Sequence, residues 1–175
     1  MDQKKLSGIC ESIRDVPDFP KKGVMFRDIT PLLADGKKFR ECVLNFKKLS
    51  KSRVDYVISI ESRGFILGSA LAHALGVGFV PIRKQGKLPH ETFQASYDLE
   101  YGQAVMEVHI DSLKPGSRVV IVDDVLATGG TARAAVDLVK KFNAKITGIY
   151  FLIELKALGG RAKLKGLPVN SLVTF

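Results

Sequence analysis

The 175-residue chain is poor in the residues that hold small or secreted domains together. It has no tryptophan and two cysteines, Cys10 and Cys42, which form no CxxC pair. A chain of this length can bury roughly 70% of its unfolded surface, so it needs no disulfide framework or structural metal. His73, His90 and His109 are scattered and HExxH is absent, so we expect no transition-metal site built from clustered side chains.

Long apolar runs are also missing. The longest stretches, such as residues 146–155, are much shorter than the roughly 18 residues that a membrane span requires. The amino-terminal residues MDQKKLSGICESIRDVPDF lack the apolar centre of a secretory signal. We therefore expect a cytoplasmic protein with no membrane partner.

The charge balance is the most unusual feature of the composition. Lys and Arg number 27 against 18 for Asp and Glu, which gives a net charge of +9. A surplus of this size suggests a polyanionic partner: nucleic acid, an anionic membrane or a phosphorylated small molecule. Basic residues prevail in residues 1–53 and 116–175 but not in residues 54–115. Composition alone leaves the partner open.

The order of the apolar segments predicts one α/β domain over residues 1–175. Buried strand patterns, VDYVISI and RVVIVDDV, are each followed by a helical pattern, and ITGIYFLIEL adds a further buried strand. AVMEVHI alternates like a half-exposed antiparallel strand, and the preceding KQGKLPHETFQAS is polar. This order predicts a mostly parallel central sheet flanked by helices.

The segment VVIVDDVLATGGTARAAV carries the strongest signal of a ligand site. In open α/β sheets, ligands bind beyond the carboxyl ends of the strands, where residues 127–131 form a loop that opens a helix. Glycines allow backbone N–H groups to approach a phosphate closely, the helix N-terminus favours an anion, and threonine hydroxyls can donate to phosphate oxygens. The sequence therefore predicts a phosphate-binding loop.

The adjacent carboxylates of Asp123 and Asp124 indicate the rest of the ligand. They would repel the phosphate, so we expect them to face hydroxyl groups or Mg²⁺. A ligand that carries both a phosphate and vicinal hydroxyl groups indicates a ribose phosphate. No Lys follows the glycines, as it would in a P-loop, and GxGxxG is absent. The structural alternative is an ordinary strand-to-helix turn with a solvated acidic pair.

The same segment resembles the phosphoribosyl-pyrophosphate signature of the type I phosphoribosyltransferases. Further similar segments cover nearly the whole chain in the family's order: PDFPKKGVMFRDITPLL, ESRGFILGSALA, PIRKQGKLP and ASYDLEYG. Within the family, they resemble the members that act on adenine. The resemblance implies the type I fold, with a small base-binding hood over residues 1–35 and a flexible lid over residues 83–100.

The resemblance also implies a role for each candidate residue. Asp123 and Asp124 would bind the ribose hydroxyls, and Glu100 would act on the proton that leaves the base. The 5′-phosphate would be wrapped by Ala127, Thr128, Gly129, Gly130 and Thr131. The pyrophosphate would meet Ser62, Arg63, Arg83, Lys84 and Lys87, and the base would meet Val24, Phe26 and Arg27, with Tyr101 positioning the lid. The Glu61–Ser62 peptide would be cis.

The implied reaction is the attack of adenine on phosphoribosyl pyrophosphate, which gives AMP and pyrophosphate in purine salvage. Mg²⁺ would be carried by the phosphoribosyl pyrophosphate rather than by direct protein ligands. The assembly would be a homodimer, since family members often supply the arginine equivalent to Arg83 to the neighbouring subunit's site. His90 and Glu91 depart from the family, whose members often have small residues or proline there, so lid closure is left open.

Two alternatives are left open by the residues. A phosphoribosyltransferase for another purine base would share the signature, so the choice of adenine rests on VMFRD and ASYDLEYG. A regulator that senses phosphoribosyl pyrophosphate and binds nucleic acid would fit the net charge of +9. However, the first 53 residues already contain the candidate base-binding segment and leave no separate DNA-binding domain. We therefore expect no nucleic-acid partner.

Overall fold

A seven-stranded sheet forms the centre of the computed structural model, which describes residues 3–98 and 103–175. Pairings among the five strands at one side are parallel, and the two pairings at the other side are antiparallel. In spatial order the strands are β5 (Thr92–Asp98), β6 (Gln103–His109), β4 (Gly78–Lys84), β3 (Tyr56–Ile60), β7 (Arg118–Leu126), β8 (Lys145–Glu154) and β9 (Val169–Thr174). The predicted α/β class and the mostly parallel sheet are confirmed.

Helices lie on both faces of this sheet. They are α1 (Gln3–Glu11), α2 (Thr30–Ala34), α3 (Gly36–Leu49), α4 (Arg63–Leu75) and α5 (Gly130–Lys140), with short 3₁₀ helices at Lys156–Leu158 and Gly160–Leu164. A separate antiparallel pair joins β1 (Arg14–Val16) to β2 (Phe26–Asp28). Helix α3 begins where the Asp35 side chain accepts hydrogen bonds from the backbone of Lys37 and Lys38, and α4 ends at Gly76, which has a φ of +69°. Among the described residues, no helix is long and apolar enough to cross a membrane.

The continuous apolar runs of the central strands follow from burial on both faces. Successive side chains of a strand point to opposite faces. On β7, Val119 and Ile121 pack with α5, whereas Val120 and Val122 pack with α3 and α4. Both faces of the central strands are therefore core, and polar residues appear where a strand leaves it.

Helix α4 lies very close to β3 and β7 because two of its residues have no side chain. A Cβ at Gly68 would lie 2.5 Å from both Cβ and Oγ of Ser59, and one at Gly64 would lie 2.6 Å from Asp123 Oδ1. The buried Ser59 hydroxyl donates to the carbonyl of Val122 at 2.6 Å, so its hydrogen-bond donor is satisfied within the sheet. This packing brings the start of α4 next to the acidic end of β7.

Strand β5 was not predicted from the sequence, because the segment KQGKLPHETFQAS, which contains its first residues, is polar. Phe93, Ala95 and Tyr97 alternate with polar residues and pack partly against the core, and β5 pairs along its whole length with β6. The alternation is short and follows a basic segment, so it is a weak strand signal in the sequence alone. The segment predicted as a lid therefore contains the end of β4, a loop at residues 85–91 and strand β5.

We expect Gly68→Ala to destabilise the fold by about 1–3 kcal/mol, because the added methyl group has no space against Ser59. Gly36→Ala is the matched control, since a Cβ there would meet nothing within 4 Å at the start of α3. The control should retain or slightly increase stability, because alanine favours a helix over glycine. Urea denaturation measures both variants, and equal stability of the two would contradict the close packing of α4.

Candidate active site

A cleft of about 340 Å³ lies at the carboxyl ends of β3 and β7, where the sequence places the ligand. It brings together most of the predicted phosphate and ribose contacts. Its lining includes Ser62, Arg63, Asp123, Asp124, Ala127, Thr128, Gly129, Gly130 and Thr131. A wider cleft of about 660 Å³ lies at the opposite ends of the strands, where β3, β4 and β7 begin, beside Arg53 and Lys114. None of the predicted site residues line it.

The loop at residues 127–131, hereafter the phosphate loop, leads from β7 into α5. Gly129 precedes the helix with a φ of +78°, a left-handed conformation that favours glycine. None of the described side chains caps the start of α5. The first backbone N–H groups of a helix have no partner within it, so these groups are suited to an anionic ligand.

The acidic pair beside this loop is buried. Asp123 and Asp124 are 8% and 7% exposed, and the backbone N–H of Asp124 donates to Asp123 Oδ1 at 2.9 Å. Burial, and then the neighbouring charge of Asp124, raise the pKa of Asp123 well above its ordinary value. Ionisation of Asp123 is therefore disfavoured by its position in the cleft.

Arg63 balances the charge of Asp124. Its Nε lies 2.6 Å from Asp124 Oδ2, but the N–H is not aligned with the oxygen, which has no hydrogen-bond partner among the described residues. The Arg63 guanidinium also lies over the Phe26 ring, with Cζ 4.8 Å from the ring centroid. One arginine thus links the acidic pair to the predicted base-binding segment.

The predicted base-binding residues Phe26 and Arg27 each contact an aromatic ring. Phe26 packs edge-to-face on Phe19 with ring centroids 5.1 Å apart. Arg27 forms an ion pair with Asp15, and its Cζ lies 3.8 Å above the centroid of the Phe175 ring. The residues from Phe19 to Val24, which precede β2, form a turn.

Val24 lies within that turn. Its N–H donates to the carbonyl of Lys21, and its carbonyl accepts from the N–H of Phe19, both at 3.2 Å. Its contact with the base stays a prediction.

A second cleft of about 340 Å³ contains Glu61 and Ser62 and is lined by the basic end of β4 and the loop that follows it, hereafter together the basic loop. Arg83, Lys84 and Lys87 all line it. Glu61 Oε2 accepts from Arg83 Nε at 2.8 Å, and Lys87 Nζ lies 3.3 Å from Glu61 Oε1. Burial acts to raise the pKa of Glu61, but the hydrogen bonds from Arg83 and from the backbone of Lys84 outweigh it and lower that pKa.

Sequence reasoning missed two carboxylates that hold the basic loop, Glu61 and Glu107. Glu107 is buried on β6, and its Oε1 accepts from the backbone N–H groups of Lys87 and Leu88, both at 2.9 Å. Burial acts to raise the pKa of Glu107, but the backbone hydrogen bonds from Leu88 and Lys87 outweigh it and lower that pKa. The alternation of AVMEVHI predicts a half-exposed strand, so the burial of Glu107 differs from the expectation, and its hydrogen bonds to the loop backbone are the physical reason.

Three further expectations from the sequence concern a peptide bond, two residues of the predicted lid region and metal ligands. The Glu61–Ser62 peptide is cis, as the resemblance implied. Glu100 and Tyr101 lie outside the described residues, so their roles stay predictions. Among residues 3–98 and 103–175, no group of three or more His, Cys, Asp and Glu side chains is placed to hold a metal ion.

Comparison with known proteins identifies the family. A model of the phosphoribosyl transferase domain matches residues 36–168. The fold and the cleft thus define a phosphoribosyl transferase domain. The acidic pair and the phosphate loop lie in this cleft, at the carboxyl ends of its strands.

The similar proteins narrow the family further. The adenine phosphoribosyltransferase of Carboxydothermus hydrogenoformans is 54% identical over 176 residues and covers 100% of both chains. The crystal structure of the enzyme of that name from Thermoanaerobacter pseudethanolicus is 48% identical, with a TM-score of 0.94, and the match covers 97% of this chain and 99% of the other. That from Saccharomyces cerevisiae, complexed with adenine and an imino-altritol bisphosphate, is 40% identical with a TM-score of 0.94 and covers 97% and 99%. The chain belongs to the adenine phosphoribosyltransferases, which are pentosyltransferases.

We expect Asp123→Asn to make the protein more stable than wild type at pH 7. Because the folded-state pKa of Asp123 is raised, its contribution to stability is complete below the unfolded value of about 3.9 and is lost as pH rises through the raised value. Asparagine does not ionise, so the difference should grow from pH 4 to pH 8. A gain of about 1 kcal/mol would raise Tm by roughly 2–4 °C.

Thermal denaturation across this pH range provides the measurement. Asp137→Asn is the control, because Asp137 is 41% exposed and pairs with Arg133 on the surface of α5. A constant Tm difference between Asp123→Asn and wild type at every pH would contradict the raised pKa.

Proposed function

We propose that the chain transfers the phosphoribosyl group of phosphoribosyl pyrophosphate to adenine and so forms AMP and pyrophosphate in purine salvage. The observation that carries this proposal is the single cleft that combines the buried acidic pair, the phosphate loop and Arg63. The names of the relatives, and the adenine bound in the yeast structure, support the choice of base.

In this proposal the phosphate loop binds the phosphate of the ribose 5-phosphate, and the acidic pair binds its ribose. Backbone N–H groups of residues 127–131, with the hydroxyls of Thr128 and Thr131, bind the 5′-phosphate, since no side chain in the described part of the chain caps the start of α5. Asp123 and Asp124 accept hydrogen bonds from the ribose hydroxyls. The buried Asp124 Oδ2, which has no hydrogen-bond partner among the described residues, is such an acceptor.

The pyrophosphate lies between Arg63 and the basic loop in this proposal. Ser62 lines both clefts, so it lies between the acidic pair and the cluster of Arg83, Lys84 and Lys87. Guanidinium groups suit phosphate oxygens because their donors form a fixed fork. Glu61 holds Arg83 and Lys87 beside the cleft, where they can exchange the carboxylate for the more highly charged diphosphate.

Mg²⁺ fits this donor set as an ion that arrives with the diphosphate. It is commonly bound largely by substrate phosphates and waters, and among the described residues no group of three or more His, Cys, Asp and Glu side chains is placed to hold it without the substrate. When bound, it neutralises charge on the leaving pyrophosphate.

Adenine binds beside Phe26, and Glu100 acts on its imidazole proton. The 4.8 Å contact between Arg63 and the Phe26 ring supports a base position next to the ribose. Backbone groups of Val24 and Arg27 read the edge of the base, and Tyr101 positions the lid. These roles follow the family resemblance residue by residue.

Charge development explains the use of the carboxylates. As adenine attacks the anomeric carbon and pyrophosphate leaves, the ribose ring becomes cationic. Fixed negative charge near the ring and fixed positive charge at the leaving group stabilise this transition state without reorganisation. Arg63 compensates the charge of Asp124, and in this proposal Asp124 gains its full effect when Arg63 turns to the pyrophosphate.

We expect adenine-dependent release of pyrophosphate in the presence of Mg²⁺, with Asp124→Asn lowering turnover by about one to two orders of magnitude. Asp137→Asn, an exposed carboxylate that also pairs with an arginine, should turn over like wild type. Unchanged turnover of Asp124→Asn would reject its role. Turnover of hypoxanthine or xanthine in place of adenine would favour another base, and no turnover with any base would reject the proposed reaction.

We further propose that the protein is a cytoplasmic homodimer. Exposed apolar side chains on neighbouring helices, Leu44 of α3 and Ile66 of α4, support a covered surface there. Light scattering after size exclusion should give twice the mass of the 19.2 kDa chain. A monomeric mass at the assay concentration would contradict this assembly.

A further inference from the structure

The back of the phosphate loop contacts a segment that lies far from it in sequence. The 3₁₀ helix Gly160–Leu164, hereafter the β8–β9 helix, belongs to the connection between those two strands. A Cβ at Gly160 would overlap the carbonyl oxygen of Ala127 and lie 2.7 Å from the backbone nitrogen of Gly129. Conversely, a Cβ at Gly129 would overlap the carbonyl oxygen of Gly160. The two backbones therefore touch directly.

Arg161 ties the β8–β9 helix to the sheet. Its Nε donates to Glu154 Oε1 at 2.8 Å, its Nη2 pairs with Glu154 Oε2, and its Nη1 donates to the carbonyl of Val169 at 2.9 Å. Ser171 Oγ donates to Glu154 Oε2 at 2.8 Å. The guanidinium of Arg161 thus connects the end of β8 to β9. Because Arg161 directly follows Gly160, this connection also holds Gly160 in place.

Glu154 makes this connection strong. Its side chain is 7% exposed, whereas that of Arg161 is 48% exposed. A bidentate, charge-assisted pair fixes both partners in orientation as well as distance. The end of β8 is also tied to the end of β7, because the backbone N–H of Leu155 donates to the carbonyl of Leu126 at 2.9 Å. The phosphate loop, which begins at residue 127, therefore shares its support with Arg161.

We propose that Arg161 is a positioning residue for the 5′-phosphate, which it does not touch. By fixing Gly160 against the phosphate loop, Arg161 sets the direction of the loop N–H groups that bind the phosphate. The inference rests on the proposed function only in naming that phosphate as part of phosphoribosyl pyrophosphate. A displacement of about 1 Å in a binding group can cost up to about 100-fold in rate, so a support of this kind has measurable consequences.

Arg161→Ala tests the proposal with ribose 5-phosphate as the probe. We expect its Kd, measured by calorimetry, and the KM for phosphoribosyl pyrophosphate to rise about 10-fold, while the KM for adenine changes less than about twofold. Arg133→Ala is the matched control, because Arg133 also forms a two-point contact with a carboxylate, Asp137, but on the outer surface of α5. The control should bind ribose 5-phosphate like wild type.

A double variant separates positioning from a general loss of stability. Arg161→Ala leaves the buried Glu154 carboxylate without its cation, which itself destabilises the fold. Adding Glu154→Gln removes that charge, so Tm should recover while ribose 5-phosphate binding stays weak. Recovery of binding together with Tm, or an equal rise in KM for both substrates, would overturn the proposal.

The same measurements keep the inference distinct from the proposed reaction. If the wild-type protein binds ribose 5-phosphate but does not turn over adenine, the proposed reaction fails and the comparison of Kd values still decides the role of Arg161. Unchanged ribose 5-phosphate binding in Arg161→Ala would overturn the inference even if the wild-type protein makes AMP.

Discussion

The close approach of helix α4 to strands β3 and β7 is the constraint on which the site depends. No side chain fits at Gly64 or Gly68 without displacing Asp123 or Ser59. The contact sets the start of α4, and with it Arg63, against the end of β7, where Arg63 Nε reaches within 2.6 Å of Asp124 Oδ2. A helix one side chain further from the sheet would separate this cation from the acidic pair.

Buried carboxylates organise the surroundings of the cleft. Glu61 holds the side chains of the basic loop, Glu107 holds its backbone, and Glu154 holds the β8–β9 helix through Arg161. Each of these carboxylates is compensated by hydrogen bonds or a cation, as buried charges must be. Asp123 is different, because burial and its charged neighbour both raise its pKa. The least compensated acid therefore lies in the cleft, where binding groups are commonly maintained at a cost in stability.

The bulk positive charge does not define the ligand. The net charge of +9 suggests an anionic partner, but the cations that line the two clefts are Arg63, Arg83, Lys84 and Lys87. An uncharged loop provides the predicted phosphate contacts. The remaining lysines and arginines can steer phosphorylated substrates or increase solubility, and they do not require nucleic acid.

The sequence by itself determined the fold class and the centre of the site, because both rest on local patterns. Continuous β-branched runs predict strands buried on both faces, and two carboxylates before a glycine loop predict a ribose-phosphate site at the end of one strand. Strand β5 escaped because its alternation is short and follows a polar segment. The contacts of Glu107 were not predicted because they join residues 19 and 20 positions apart in the chain. Those of Arg161 were not predicted because they depend on how the connection between β8 and β9 folds back on both strands. Only the tertiary structure decided these supports, since the partner of a buried charge is set by which strands and loops meet and not by its neighbours in sequence.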